Sequence, residues 1–243
     1  ETSTNLPKPD FCIYISPTRD RVPSLFIQQA GTKGNVGVSF HEGFADYRRK
    51  YGKNSSSPMV RAARSGSGKP LSQTFVLDAT GGFGMDAFVL CCVGCHVTVC
   101  EKDPIIFRLL KDGYERGMET KEVREILERM KILNVDSKEY MTSLPEAQKP
   151  DIVYLDPMYP NKKKMKSEVR KEMQIIRLVA EKTSLDKTND LISVAQQCAK
   201  KCVILKRPYY VPVDLNCNRS YKSRSTHFDV FLAKPQSKQE TNT

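Results

Sequence analysis

The sequence predicts an α/β protein whose core is a doubly wound, parallel β-sheet. From Phe75 onward, apolar runs alternate with amphipathic helical segments, the order that places helices on both faces of such a sheet. The runs TFVLD, HVTVCE, DIVYLD and KCVILKR are almost continuously apolar, as strands buried on both faces are. The first three of these runs end in an acidic residue, so carboxylates are expected along one edge of the sheet.

The N-terminal region has a different character and is predicted to be a small β-rich subdomain, residues 1–44. Within it, FCIYI and VGVSF are typical of short strands that Pro, Gly and Asp turns separate. A short helix with a basic end is expected at HEGFADYRRKYG, from His41. The Ser-, Gly- and Pro-rich stretch at 54–70 predicts a linker with at most one or two helical turns.

The second predicted domain spans residues 45–243, with a core at 71–233 and a loose polar tail at 234–243. Its strands are expected at TFVLD, HVTVCE, KILNV, DIVYLD, KCVILKR and FDVFLA. Helices are expected at MDAFVLCCV, at PIIFRLLKDGYERG, where Pro104 suits a first helical turn, and at TKEVREILERM. Apolar residues between Ser167 and Lys182 recur at helical spacing and predict a further helix.

The composition narrows the classes of protein that the chain can belong to. Of 243 residues, 39% are hydrophobic and 28% charged, which excludes a disordered or fibrous chain. The sequence has no run of about 18 apolar residues, so no membrane span is predicted. It also has no basic region followed by an apolar one, so no secretory signal is expected. The 39 Lys and Arg exceed the 28 Asp and Glu by 11, which predicts a polyanionic partner, RNA or DNA.

Eight cysteines raise the question of disulfides or a metal. Without a secretory signal, a reducing compartment is expected and disulfides are not. Cys92 and Cys95 form a Cys-x-x-Cys pair, but no second such pair completes a four-ligand site. The thiols are therefore predicted to be small buried apolar groups, and no metal is expected.

The segment DATGGFGMDA follows the first strand of the main sheet and predicts a cofactor-binding turn. Ligands of open α/β sheets bind beyond the carboxyl ends of the strands, and glycines let the backbone approach them closely. We expect Asp78, Gly82 and Gly84 to form this turn. Their spacing suits NAD and S-adenosylmethionine equally, and a tight turn without a ligand is the structural alternative.

Two further strand ends have polar residues at positions suited to an adenosine cofactor. Glu101 ends the second strand, 19 positions after Gly82, where a carboxylate can accept hydrogen bonds from ribose hydroxyls. Asp136 and Ser137 follow the third strand, where they can meet the adenine ring. Because such residues are also common in ordinary turns, only their order along the sheet favours binding.

The segment YLDPMYP, which closes the fourth strand, distinguishes between the two cofactors. An Asp-Pro-x-aromatic sequence at this point is typical of methyltransferases that act on exocyclic amino groups of bases. Asp156 can accept a hydrogen bond from a base NH₂, Pro157 stiffens the loop, and Tyr159 offers a ring on which an extruded base stacks. A dehydrogenase has no use for this loop, and the structural alternative is a rigid turn after a strand.

Cations cluster near these motifs and are predicted to contact RNA phosphates, although a run of charge is often only a solvated face. Aromatic rings are interleaved with them, which suits single-stranded or looped RNA. The predicted RNA-binding residues are Arg48, Arg49, Lys50, Lys162, Lys163, Lys164, Lys206 and Arg207.

The segments YRRKYG, DATGGFGMDAFVL, VGCHVTVCEKDP, DIVYLDPMYP with its Lys-rich sequel, and VILKRP resemble the RsmJ family, bacterial guanine-N2-methyltransferases of small-subunit (16S) rRNA. The similarity runs in order from about Val38 to Phe231. It implies a class I, Rossmann-like fold that binds S-adenosylmethionine, with a small N-terminal appendage. By position it also implies a set of cofactor contacts: Met85, Asp86, Glu101, Lys102, Asp136, Ser137 and Asp156.

The chain departs from the family pattern at three places. Where the family loop usually has D-A-T-A-G-L-G-R-D, this chain has Gly81, Phe83 and Met85, so an Arg beside the cofactor site is replaced. Tyr209 follows Lys-Arg-Pro where the family tends to have Asp, and THFD near the C-terminus replaces His-Arg-Phe-Asp. These departures leave open a homologue that binds RNA without catalysis.

The sequence thus predicts an S-adenosylmethionine-dependent rRNA methyltransferase that acts on the N2 amine of a guanine, with Asp156, Pro157 and Tyr159 at its catalytic centre. Its expected partner is small-subunit rRNA or the small ribosomal subunit, without a membrane. The alternatives are a catalytically inactive ribosome assembly factor and an NAD-dependent oxidoreductase. The expected location is the bacterial cytoplasm or, alternatively, the mitochondrial matrix or another organelle.

Overall fold

The computed structural model describes residues 11–17, 22–31, 34–52, 57–157, 159, 185–214 and 216–234. The strands in these ranges are β1 Phe11–Pro17, β2 Pro23–Gln29, β3 Phe75–Asp78, β4 His96–Cys100, β5 Met130–Leu133, β6 Ile152–Leu155, β7 Cys202–Pro208, β8 Arg219–Lys222 and β9 Thr226–Leu232. The helices are α1 Gly43–Tyr47, which continues as a π-helical turn Arg48–Gly52, α2 Pro58–Ser67, α3 Met85–Cys92, α4 Pro104–Glu119, α5 Lys121–Leu127, α6 Ser137–Ser143 and α7 Leu185–Cys198.

Seven of these strands form one sheet in the order β5-β4-β3-β6-β7-β9-β8, and β1 and β2 form a separate antiparallel hairpin. The strands from β5 to β7 in this order are mutually parallel, whereas β9 is antiparallel to both β7 and β8. The chain moves outward from β3 through β4 to β5 and then places β6 on the other side of β3. This reversal opens a crevice at the carboxyl ends of β3 and β6, where open α/β sheets bind ligands. The predicted α/β class with a doubly wound sheet is confirmed.

Alternation along the central strands explains why helices cover both faces of the sheet. On β6, Ile152 and Tyr154 join the core cluster that includes residues of α2, α3 and α4. Val153 and Leu155 join a second cluster with α6 and α7. All four side chains are fully buried. Because successive side chains of a strand point to opposite faces, a two-sided strand requires a continuous apolar run.

The N-terminal region differs from the prediction in its second strand. The partner of β1 is PSLFIQQ, and VGVSF contributes only an isolated bridge between Val36 and Ile27. Val36, Val38 and Phe40 are buried in the core cluster of the main sheet instead. Apolar alternation serves packing as well as strand pairing, so it did not separate the two. The domain boundary at residue 44 stays a prediction.

The predicted linker at 54–70 contains the ten-residue helix α2, so the linker prediction was wrong. The helix has Pro58 in its first turn and ends at Gly68, whose φ is +66°. Its buried residues are Met59, Val60, Ala62, Ala63 and Ser67. Ser and Gly near both ends hid the apolar stripe, because these residues are also typical of loops.

Helices α6 and α7 and the edge strand β8 were not expected from the sequence. The strand β8 is only four residues long and mostly polar, as edge strands commonly are. The other strands and helices predicted from TFVLD onward are confirmed, except that the helix predicted between Ser167 and Lys182 lies outside the described residues. No helix in the described part of the chain combines the length and the apolar character that crossing a bilayer requires.

Candidate active site

The glycine-rich turn lies at the crevice between β3 and β6. Gly82 and Gly84 have φ values of +53° and +71°, and Gly84 caps α3. A Cβ on Gly84 would lie 2.9 Å from Leu110 Cδ1. The Gly84 N–H donates to the Gly81 carbonyl at 2.8 Å, and the Gly81 N–H donates to the Cys100 carbonyl at 3.0 Å. The turn is therefore fixed over the end of β4 and presents bare backbone, the cradle that a closely bound nucleotide cofactor requires.

Glu101, the residue after β4, holds this turn in place. Its Oε2 accepts a hydrogen bond from the Gly82 N–H at 2.7 Å, and its Oε1 accepts one from the Asp103 N–H at 2.8 Å. The carboxylate is nearly buried, and burial raises the pKa of Glu101 above its usual range. Both oxygens keep a further lone pair, so the predicted contact to a ribose is compatible with these bonds. Lys102, which follows, is exposed.

The end of β5 is fixed by side chains that also border the expected adenine position. The Asp136 carboxylate caps α6 by accepting from the Lys138 N–H at 2.8 Å, and Ser137 is the first residue of that helix. Asn134 donates its side-chain amide to the Glu101 carbonyl at 2.8 Å. Capping gives Asp136 a structural role, so its contact with adenine stays a prediction.

Asp78 and Thr80 link the glycine turn to the DPMYP segment. The Asp78 Oδ1 accepts from the Thr80 N–H at 3.1 Å, and the Thr80 hydroxyl accepts from the Asp156 N–H at 2.7 Å. Asp78 is 2% exposed. Burial is the main cause that raises the pKa of Asp78, to about 7. The Thr80 hydrogen bond opposes this rise, and the nearby carboxylates of Asp86 and Asp156 add to it.

Two carboxylates at the crevice share one ammonium group. The Lys206 Nζ lies 2.6 Å from the Asp86 Oδ2 and 2.7 Å from the Asp156 Oδ2. The Asp86 carboxylate also accepts from the Tyr154 hydroxyl at 2.7 Å and from the Arg48 guanidinium at 2.6 Å. Segments that are far apart in the chain therefore meet here: the π-helical turn, α3, β6 and β7.

The pKa values of the two carboxyl groups that share this ammonium group are shifted in opposite directions. Burial alone would raise the pKa of Asp86, but Lys206 and Arg48 outweigh it and hold that pKa well below the usual range. Burial raises the pKa of Asp156, and Lys206 offsets only part of the rise. Asp156 is thus the more basic of the two carboxylates, which suits the group expected to meet a substrate amine.

The other two residues of the predicted catalytic centre are buried. Pro157 is buried directly after Asp156, and Tyr159 is 8% exposed. The Tyr159 hydroxyl makes no hydrogen bond to any described residue, and burial raises the pKa of Tyr159 to about 12. A ring in this position is not open for stacking in the structure, which favours the alternative that it supports the loop.

Several predicted RNA-binding cations are paired within the chain. Arg49 and Lys50 both pair with Asp46, at 2.6 and 2.7 Å. Arg48 and Lys206 belong to the Asp86 cluster described above. All four side chains thus have carboxylate partners within the chain, although Arg49 and Lys50 share a single one. Their contact with RNA phosphates stays a prediction. Lys162, Lys163 and Lys164 lie outside the described residues.

Arg207 is also turned inward, and its predicted contact with RNA is not supported. It is 9% exposed and pairs with Asp214 at 2.8 Å and with Asp229 at 3.4 Å. His227 lies in the same cluster, with Nδ1 2.9 Å from an Asp229 oxygen and Nε2 donating to the Val211 carbonyl at 2.8 Å. The cluster fixes the segment that follows β7.

Met85, the residue that replaces the family Arg, is half-buried at the start of α3. Asp86 follows it, and the Arg48 guanidinium reaches that carboxylate from another element. A cation is therefore present beside the glycine turn despite the replacement.

Comparison with known proteins gives the same picture. A family model described as a putative SAM-dependent methyltransferase matches residues 8–233. The chain belongs to this family. It is 35% identical over 231 residues to ribosomal RNA small subunit methyltransferase J (RsmJ) of Nitrosococcus oceani, covering 94% of this chain and 86% of the relative. It is 39% identical over 203 residues to the protein of that name from Colwellia psychrerythraea, covering 82% and 71%.

A solved structure agrees with these RsmJ relatives. The SAM-dependent methyltransferase of Neisseria gonorrhoeae is 31% identical to this chain, superposes with a TM-score of 0.68, and covers 97% of this chain and 88% of its own. Members of the family use S-adenosylmethionine, and the glycine cradle with its carboxylates is chemically suited to that cofactor.

Sequence reasoning missed three residues of the site. Thr80 anchors Asp156, Tyr154 bonds Asp86, and Asn134 joins the ends of two strands. All three lie in or beside segments that the motifs identified. Only Asn134 could have been identified from the sequence, because it is a polar residue directly after a strand and two positions before Asp136.

Proposed function

We propose that this protein transfers a methyl group from S-adenosylmethionine to the exocyclic N2 of a guanine in small-subunit rRNA. The observation on which this depends is the Asp156 carboxylate at the sheet crevice, next to the glycine turn. Its backbone is anchored by Thr80 and its side chain by Lys206. The names of the RsmJ relatives support small-subunit rRNA as the substrate.

S-adenosylmethionine supplies an activated methyl group on a sulfonium centre. Glu101 accepts hydrogen bonds from the ribose hydroxyls, and Asp136 and Ser137 meet the adenine. The remaining predicted contacts line the turn and the neighbouring strand ends: Asp78, Gly82, Gly84, Met85, Asp86, Lys102 and Asp156. Support comes from the placement of these residues at successive carboxyl ends of parallel strands.

Asp156 acts on the substrate amine. The lone pair of a guanine N2 is delocalised into the ring, so the amine must be aimed at the methyl carbon and lose a proton as it attacks. The carboxylate accepts a hydrogen bond from this NH₂ and can take up the released proton, for which its raised pKa is favourable. Lys206 and Thr80 fix the orientation of Asp156, so catalysis depends mainly on alignment.

A base extruded from RNA needs an aromatic surface near Asp156, beside the carboxyl ends of the strands. Tyr209, three residues beyond Lys206, is 59% exposed and packs edge-on against Tyr210. The ring of Tyr209 is exposed, whereas the ring of Tyr159 is buried. We therefore assign the stacking contact to Tyr209 and the support of the Asp156 loop to Tyr159.

The partner is small-subunit rRNA, free or within the small subunit, and the compartment is the one that holds those ribosomes. In bacteria, where the RsmJ relatives are found, this is the cytoplasm, and an organelle with bacterial-type ribosomes is the alternative. A catalytically inactive assembly factor remains the second candidate, since Met85 replaces the family Arg. The retained Asp156 and the Arg48 contact beside Met85 favour the enzyme. Membership of a methyltransferase family leaves the oxidoreductase without support.

The test is methyl transfer to small-subunit rRNA from cells that lack the gene. The product nucleosides are identified by mass spectrometry, with free rRNA and intact subunits as parallel substrates. We expect N2-methylguanosine with the wild type and a loss of about 100-fold or more in kcat/KM with Asp156→Asn. Asp190→Asn, which changes an exposed carboxylate on α7, is the matched control and should leave the rate unchanged. No methylation of either substrate by the wild type would overturn the proposal.

A further inference from the structure

One edge of the molecule has a group of cations that the active site does not use. We define the edge cation surface as five exposed side chains on α2, on β8 and in the turn after β8: Arg61, Arg64, Arg219, Lys222 and Arg224. In the described part of the chain, none of the five forms an ion pair. Their contacts there are neutral, since Arg61 lies over the Tyr221 ring at 5.1 Å and Arg219 donates to the Ser65 hydroxyl at 2.6 Å.

The two segments that form the edge cation surface contain no carboxylates. The stretches 57–68 and 216–226 have two and three cations and no acidic residue. On the opposite edge of the sheet, α5 with its flanking residues mixes both signs, with Lys121 and Arg124 next to Glu122, Glu125 and Glu128. Among these described segments, α2, β8 and the turn after β8 have net positive charge, whereas the charges of α5 and its flanking residues largely cancel. A local potential attractive to polyanions is therefore expected at the edge cation surface.

The edge cation surface leads toward the crevice. Lys222 is in register with His227, and His227 is in register with Arg207, the neighbour of Lys206. Two strand spacings separate Lys222 from Arg207, roughly 10 Å at about 4.8 Å each. The Tyr209 N–H donates to the Ser225 carbonyl at 3.0 Å, which joins the turn with Arg224 to the segment after β7. A chain of phosphates lying on this surface would reach the site where a base is presented.

Protection of a sheet edge explains only part of this group. Charged residues on an edge strand prevent pairing with other chains, and this suffices for Arg219 and Lys222. Arg61 and Arg64 belong to a helix and Arg224 to a turn, where no edge needs protection. We infer that the edge cation surface binds the phosphate backbone of the rRNA beside the target guanine. The partner class rests on the proposed function, and the contacts would hold the RNA in register without reading its bases.

The experiment compares two triple variants in binding to protein-free small-subunit rRNA, and in parallel to intact small subunits, at several salt concentrations. The test variant is Arg64→Gln with Lys222→Gln and Arg224→Gln. The matched control is Lys121→Gln with Lys131→Gln and Lys201→Gln, three exposed lysines near the opposite edge or at the amino end of β7. Both variants should keep the melting temperature and the S-adenosylmethionine affinity of the wild type, because none of the six side chains touches the crevice.

We expect the test variant to bind rRNA roughly 30- to 100-fold more weakly at about 0.15 M salt and to lower the log–log salt slope by about 2. The control should change both values far less. Equal effects of the two variants would overturn the inference, as would weaker binding to intact subunits with unchanged binding to free rRNA, since that result indicates a protein partner. Should the triple variant not fold, Lys222→Gln and Arg224→Gln alone should each lower the slope by about 0.8.

The result is separate from the test of the proposed function. If no methylation is found but the two variants still differ in rRNA binding, the edge cation surface stands and the proposed function falls. If methylation is found and the two variants bind rRNA equally well, the edge cation surface does not bind rRNA and the proposed function stands.

Discussion

At the scale of single residues, variants of Tyr159 test whether this ring supports the Asp156 loop while Tyr209 stacks on the base. Its hydroxyl is buried and makes no hydrogen bond to the described residues. Tyr159→Phe should therefore keep kcat/KM within about threefold and raise the free energy of unfolding by about 1 kcal/mol, since an unpaired buried hydroxyl is costly. Tyr159→Ala should lose about 3–5 kcal/mol of stability together with activity. The measurements are urea unfolding and methyl-transfer rates.

Tyr209 supplies the contrast for this prediction. Because its ring is exposed, Tyr209→Ala should keep the melting temperature and lose about 5- to 150-fold in kcat/KM, the equivalent of about 1–3 kcal/mol of stacking. An inactive Tyr159→Phe protein of normal stability would contradict both assignments and would show that the Tyr159 hydroxyl bonds the substrate.

Asp78 makes stability depend on pH in an identifiable way. Burial raises its pKa from 3.8 to about 7, so the folded state resists ionisation that the unfolded state allows. Its contribution to stability is greatest below about pH 4 and falls as the pH rises through about 7, by about 4 kcal/mol in total for a shift of this size. Asp78→Asn keeps an acceptor for Thr80 and has no such titration.

The measurement for Asp78 is urea unfolding of wild type and Asp78→Asn at pH 5 and pH 8. Between these values the difference in unfolding free energy should move by about 2–3 kcal/mol in favour of the variant. All other titrating groups are common to both proteins and cancel to first order. A difference that stays constant with pH would show that Asp78 ionises normally in the folded protein.

At the scale of elements, the turn from β3 into α3 depends on one backbone conformation. Gly84 has a φ of +71°, and a Cβ there would crowd Leu110. Gly84→Ala should therefore cost about 1–2 kcal/mol of stability and should also shift the start of α3. Since the cofactor cradle is part of this turn, S-adenosylmethionine affinity should fall at least tenfold by calorimetry.

Gly68 is the matched control for this element. It has a similar φ of +66° at the end of α2, and a Cβ there meets nothing within 4 Å. Gly68→Ala should lose a comparable amount of stability and keep the cofactor affinity. If both variants lost affinity equally, the effect of Gly84 would reflect global destabilisation and not the cradle.

At the scale of the whole molecule, the cysteines report on how much of the chain the two core clusters enclose. Five of the eight are buried: Cys91, Cys95, Cys100, Cys198 and Cys202. Burial raises the pKa of Cys95, Cys100 and Cys202 to about 12, which keeps these thiols protonated and unreactive. Cys12 is exposed, whereas Cys92 and Cys217 are half-buried.

A thiol reagent should therefore modify the native protein in stages. One thiol should react fast, two more slowly, and the remaining five only at the rate of unfolding, with all eight reacting in denaturant. Counting the released chromophore against time gives the three phases. Fast reaction of more than three thiols in the native protein would contradict the described core.

The sequence by itself determined the layers of the fold and the order of the carboxylates. Alternation of apolar runs with helical segments is a local signal, and parallel strands bring their carboxyl ends to one edge, so Asp78, Glu101 and Asp156 had to lie near one another. The glycine turn was predictable for the same reason, because its strain is local.

Only the tertiary structure decided which charges meet. Arg48 lies 38 positions before Asp86 and Lys206 lies 120 after it, yet both reach that carboxylate. The sequence predicted RNA contacts for these cations and for Arg207 and did not predict their carboxylate partners, because a cation looks the same in a sequence whether it faces solvent or a buried carboxylate. Burial and register between distant segments set that difference, since a cation enters the interior only where a carboxylate compensates its desolvation.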